Sequence, residues 1–178
     1  MYCANRDDGT YQFIQNWYTD SISSSIRFNI GVMDTMGNIL SQKLVGENNR
    51  YQFCLGLITT LDGGYYAAGT GKYGDRYGFG FKFSSQQDSL WQGYYWHDDP
   101  WEFSWIATFQ QKPDSNFVHF GSHFDHWNVP NGSKFYSWLL ETDNHGCDTS
   151  GCNLGIEDLQ EIKGVEFSLY PNPSRGTF

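Results

Sequence analysis

The densest group of side chains able to recognise or transform a ligand is "WQGYYWHDDPWEFSW", residues 91–105. It sets Trp91, Tyr94, Tyr95, Trp96, Trp101, Phe103 and Trp105 among the carboxylates of Asp98, Asp99 and Glu102. Exposed Trp and Tyr faces stack on sugar rings, and carboxylates accept hydrogen bonds from sugar hydroxyls, so the stretch is a candidate carbohydrate contact. The same acids could supply the two carboxylates of a glycosidase. Neighbouring acidic residues in a loop are ordinarily just solvated, and no catalysis is expected from them. Trp91 and Trp105 fall in predicted strands and read as core. Trp96 and Trp101, with Asp98, Asp99 and Glu102, fall in the connecting loop and are the candidate ligand contacts.

A second constellation is "HFGSHFDHW", which places His119, His123, Asp125 and His126 within eight residues. On a strand His119 and His123 share a face, and Asp125 could join them around Zn or Cu. The spacing matches no established metal signature, so these read as surface histidines of a hairpin, and neither metal nor other cofactor is expected. In "GCDTSGC", Cys147 and Cys152 either close a small local disulfide or stay as free thiols. Only His145 stands near them, too few ligands for zinc. The Asp-rich turns lack the alternating carboxylates of a calcium loop. There is no Gly-x-Ser-x-Gly elbow, Walker loop or His-Glu-x-x-His. A protein without enzymatic activity is the expectation.

The elements that must position these groups follow from composition. Aromatics make up 19% and charged residues 17% of the 178 residues, with 20 glycines. That balance favours many short strands joined by Gly turns, an all-β fold. A net charge of −9, with no local Lys/Arg cluster, argues against a nucleic-acid partner. No apolar run is long enough for a membrane-spanning helix, and "MYCANRDDGTYQF" has neither the basic start nor the apolar stretch of a signal peptide. If the protein is exported, its address is expected upstream of Met1.

The chain repeats itself. "DGTYQFIQ", "DGGYYAAG" and "DSNFVHFG" each put an Asp and a turn pair before an aromatic, and those aromatics, Tyr11, Tyr65 and Phe117, lie 54 and 52 residues apart. A second signature aligns Met33 and Asp34 with Phe83 and Ser84 and with Leu140 and Glu141. The complete central unit reads as four strands, about 51–60, 64–70, 76–84 and 89–95, with "LDGG", "GKYGD" and "SQQD" as turns. It is preceded by a unit with only its last three strands and followed by one with only its first three. An antiparallel four-stranded unit of this period matches a propeller blade, and Ala67, Ala68 and Gly69 would let such sheets stack closely. The expected architecture is a partial, open β-propeller-like array of about two and a half blades over residues 1–152. Residues 153–166, "NLGIEDLQEIKGVE", read as a linker.

The last twelve residues, "FSLYPNPSRGTF", join an apolar alternating strand to a double X-Pro turn. Tyr170, Pro171, Asn172, Pro173, Gly176 and Phe178 closely resemble the opening of the type A C-terminal sorting domain carried by cargo of the bacterial type IX secretion system. The resemblance implies that residues 167–178 begin a truncated sorting domain. It implies recognition by the type IX machinery once that domain is complete, and a secreted or outer-surface location on a gram-negative bacterium. The repeats also resemble the Asp-Gly-Gly-Tyr propeller-like repeats of large proteins on that route, through residues 62–65, Gly69, Gly74, Asp75 and Trp91, and Met33, Asp34, Gly37 and Asn38. Ser41 stands where that pattern has Trp, and Gln87 with Asp88 replace its Gly-Asn turn. This likeness implies extracellular binding or adhesion to a glycan or protein, with no catalytic residue. The alternatives are a carbohydrate-binding or carbohydrate-active domain using the Trp-rich loop, and a structural spacer.

Overall fold

Every described segment is strand or tight turn. The computed structural model describes residues 1–18, 26–46, 51–73, 75–95, 103–125 and 134–148, and no helix occurs among them. Three antiparallel sheets form in chain order. The first holds β1 (Tyr2–Asn5), β2 (Tyr11–Tyr18), β3 (Ile26–Met33) and β4 (Ile39–Val45). The second holds β5 (Tyr51–Thr59), β6 (Tyr65–Tyr73), β7 (Asp75–Phe83) and β8 (Ser89–Tyr95). The third holds β9 (Phe103–Gln111), β10 (Phe117–Asp125) and β11 (Lys134–Thr142). Consecutive sheets touch edgewise through one parallel pair each, Ile26 with Tyr51 and Arg76 with Phe103. Such single pairs do not merge them into one continuous sheet, and none closes into a barrel. The result is the open, propeller-like array expected.

Two details differ from expectation. The first sheet has a short leading strand, β1, where three strands were expected. And "GKYGD" is no five-residue turn, because pairing runs up to Tyr73 opposite Asp75.

The repeat spacing is set by six turns of one design. In residues 6–10, 34–38, 60–64, 84–88, 112–116 and 143–147 the first N–H donates to the fifth carbonyl and the fourth N–H to the first carbonyl. The fourth residue always has positive φ: Gly9, Gly37, Gly63, Gln87, Ser115 and Gly146. Turns between first and second strands carry Asp in third place, and Asp8, Asp62 and Asp114 each accept the N–H two residues on. Turns leading out of third strands place Asp34, Ser84 or Asp143 first, accepting two N–H groups. Thr142 and Asp143, not Leu140 and Glu141, are therefore the equivalents of Met33 and Asp34. "LLETD" offers two acidic residues, Glu141 after an apolar Leu and Asp143 after Thr, and only the turn hydrogen bonds choose between them.

Stacking of the sheets makes two cores. Between the first and second lie Ile14, Phe28, Ile30, Ala67, Phe79, Phe81 and Phe83, with Phe28 stacked on Phe79 at 5.3 Å. Between the second and third lie Tyr66, Ala68, Tyr95, Ile106 and Phe117. Strand β6 supplies both by alternation, Tyr65 and Ala67 to one side and Tyr66 and Ala68 to the other. A sheet covered on both faces requires this continuous buried run. Each fully buried aromatic contributes on the order of 2 kcal/mol. Gly69 and Gly121 recur because each lies beside a bulge of the preceding strand, where a β-carbon would collide with the carbonyl of Phe53 or Trp105.

Candidate functional site

The second core contains the polar chemistry. His119 on β10 is fully buried, and its Nε2 lies 2.7 Å from the Tyr66 hydroxyl. Its Nδ1 faces the Leu140 carbonyl at 3.3 Å. Because a carbonyl only accepts, the proton sits on Nδ1, and Tyr66 donates to Nε2. Burial pushes the His119 pKa down to about 4, against the Leu140 carbonyl, which favours the charged form. The Tyr95 hydroxyl donates to the Gly146 carbonyl at 3.0 Å, and burial raises the pKa of both tyrosines. His123 is buried too, its Nδ1 3.0 Å from Ser104 Oγ on the paired strand.

His119 and His123 thus share a face, as strand periodicity requires, but that face is the inner one. The expectation of surface histidines is corrected: long-range partners meet both nitrogens of His119 and Nδ1 of His123, which makes burial tolerable. Asp125 belongs to β10 by its backbone, and His126 lies outside the described residues. No three His, Cys, Asp or Glu side chains gather for a metal among the described residues.

Lys82 enters the same core with its ammonium 2.6 Å from Asp62 and 6.0 Å from the Phe117 ring centre. Burial opposes ionisation of Asp62, but the Lys82 ammonium, the Thr60 hydroxyl and the Gly64 N–H overcome it and hold the carboxyl at about 2. Outer strands latch onto the next sheet's turn: Lys43 donates to the Gln87 carbonyl, and Trp91 Nε1 to the Asn144 carbonyl at 2.9 Å. Trp91 is half-buried and packs against the second core.

Trp105 is not part of the two cores. It lies on the outer face of the third sheet, edge-on to Phe135 at 6.5 Å, with Phe124 4.6 Å from Phe135. Phe120 and Leu139, cross-strand partners on that face, are 54% and 63% exposed, and Phe135 is 70% exposed. The outer face of the first sheet differs. There Trp17, Asn29, Gln42, Lys43 and Leu44 line a depression of about 320 Å³. Sequence reasoning passed over both faces, although "KFYSWLLE" carries apolar residues on both sides of one strand, a pattern that a solvated edge would not need.

Trp96, Asp98, Asp99, Trp101 and Glu102 lie outside the described residues, as do Tyr170, Pro171, Asn172, Pro173, Gly176 and Phe178. Cys147 is disulfide-bonded, while Cys3 and Cys54 are free. Cys152, its expected partner, is outside the described residues. Burial raises the Cys54 thiol pKa to about 12, and its Sγ donates to the Gly56 carbonyl, so it is inert as a nucleophile. Compared with known protein families and with curated proteins, the chain matches none.

Proposed function

We propose that the chain is an extracellular or cell-surface binding and adhesion module, exported by the type IX route. One observation carries the binding reading. The outer face of β10 and β11 presents Phe120, Phe124, Phe135 and Leu139 in the orientation whose counterparts in the first two sheets are buried cores. Exposed contiguous apolar surface marks a place where another molecule docks. The export reading is supported by the resemblance of residues 170–178 to a sorting-domain opening.

Fluorescently labelled full chain, incubated with intact cells of the source bacterium and counted by flow cytometry, tests the binding reading. Wild type should bind and the Phe135→Ser/Leu139→Ser variant should not. Equal binding by the two, or binding by neither, would leave a spacer and sink the proposal. Export is tested by intact mass and terminal peptides of the native product. A product confined to the cytoplasm would overturn it.

A further inference from the structure

We propose that the depression on the outer face of the first sheet binds a pyranose sugar, with Trp17 as its platform and the amides of Asn29 and Gln42 as its hydrogen-bonding floor. The site lies on the opposite end of the array from the apolar face discussed above, so either can fail without the other.

Pairing places the residues. Trp17 on β2 stands opposite Arg27 on β3, and Asn29, two residues on, stands opposite Leu44 on β4. Gln42 is two residues from Leu44, so Trp17, Arg27, Asn29, Gln42 and Leu44 share one face by the period of two. Trp17 remains 47% exposed at the wall, whereas Asn29 at the floor is only 9% exposed. Asn29 Nδ2 donates to Gln42 Oε1 at 3.0 Å, which fixes both amides. That bond leaves the Asn29 carbonyl oxygen and the Gln42 amino group, an acceptor beside a donor, with capacity unused among the described residues. Arg27 Nε, beside Trp17, is also buried without a hydrogen-bond partner.

Asn29 is nearly buried and Gln42 is exposed, so the pair offers a ligand one preset acceptor and one accessible donor in place of water. Two adjacent hydroxyls on a sugar ring offer the matching donor and acceptor, and the ring's C–H face offers the apolar surface that Trp17 stacks on. A volume near 320 Å³ is at the small end of ligand sites, which suits one ring better than a peptide. The Lys43 ammonium is committed to the Gln87 carbonyl and Asp88 at 3.3 Å and is not offered to the depression. The outer face of the third sheet shows no comparable amide pair among its described residues, which is why the sugar is assigned here.

The test is saturation-transfer NMR on the full chain with methyl glycosides of glucose, galactose, mannose and N-acetylglucosamine. At least one should receive saturation through its C–H face. Its affinity should fall about tenfold or vanish in Trp17→Ala, and fall in Gln42→Ala. Trp17 is partly exposed, so thermal melting of Trp17→Ala should match wild type and exclude unfolding as the cause. Saturation of no glycoside overturns the proposal. So does saturation that persists undiminished in Trp17→Ala. A wild-type dimer in ultracentrifugation that dissociates in Trp17→Ala would assign the face to a second copy and overturn it equally.

Discussion

Acid should loosen this fold through one side chain, His119. Its pKa is about 4 in the folded chain and 6.5 ordinarily. The depressed value means that the unfolded chain binds the proton more readily. The stabilising contribution is therefore complete above about pH 6.5, is lost as pH falls towards 4, and changes no further below. The loss is about 2 kcal/mol by pH 5 and about 3 kcal/mol by pH 4. A domain of this size has only about 5–15 kcal/mol in hand. Protonating Nε2 removes the acceptor for the Tyr66 hydroxyl and puts a charge between Tyr66, Tyr95 and Phe117. Urea unfolding followed by Trp fluorescence, at steps from pH 7.5 to 4, reads the slope. His119→Gln keeps an acceptor and a donor but cannot titrate, so it should flatten this window. A separate window, below about pH 3.8, belongs to Asp62, whose lowered pKa means stability lost as pH falls towards 2. Wild type and His119→Gln losing stability in parallel between pH 6.5 and 4 would refute the assignment.

Gly80→Ala should cost about 2–4 kcal/mol in chemical denaturation, because its β-carbon would overlap the hydroxyl of fully buried Tyr66. Adding Tyr66→Phe should recover part of that loss, and no recovery would contradict the cause. Ser115→Gly should raise stability by about 0.5–1 kcal/mol, since Ser115 holds φ at 72° without needing a side chain there. Asp62→Asn leaves the buried Lys82 ammonium without its counter-charge and should destabilise by about 2 kcal/mol at pH 7, with the wild-type advantage gone by pH 2.

Local signals read well and long-range ones did not. Tyr11, Tyr65 and Phe117 each open a second strand because an Asp-bearing turn immediately precedes them, and an aromatic after such a turn is visible in sequence. The recurring Gly69 and Gly121 were visible as a pattern, although the carbonyl that forbids a side chain belongs to another strand. Strand β1 is not legible in sequence because four residues, "YCAN", carry too little alternation. The burial of His119 depends on Tyr66, 53 residues away, which no local pattern announces. Asn29 and Gln42 read as ordinary polar strand residues until pairing sets them side by side beneath Trp17.

The six matching turns all lie at one end of the array, since each joins a first strand to a second or leads out of a third. That end is also where neighbouring sheets hook onto turn carbonyls, at Gln87, Asn144 and Gly146. The chain therefore has a standardised side and a variable side. Tags or foreign loops inserted at the turns would unhook adjacent sheets, whereas the connections between second and third strands already differ in length among the three units: residues 19–25, residue 74 and residues 126–133. Diversification of recognition, by evolution or by an engineer, has its room there.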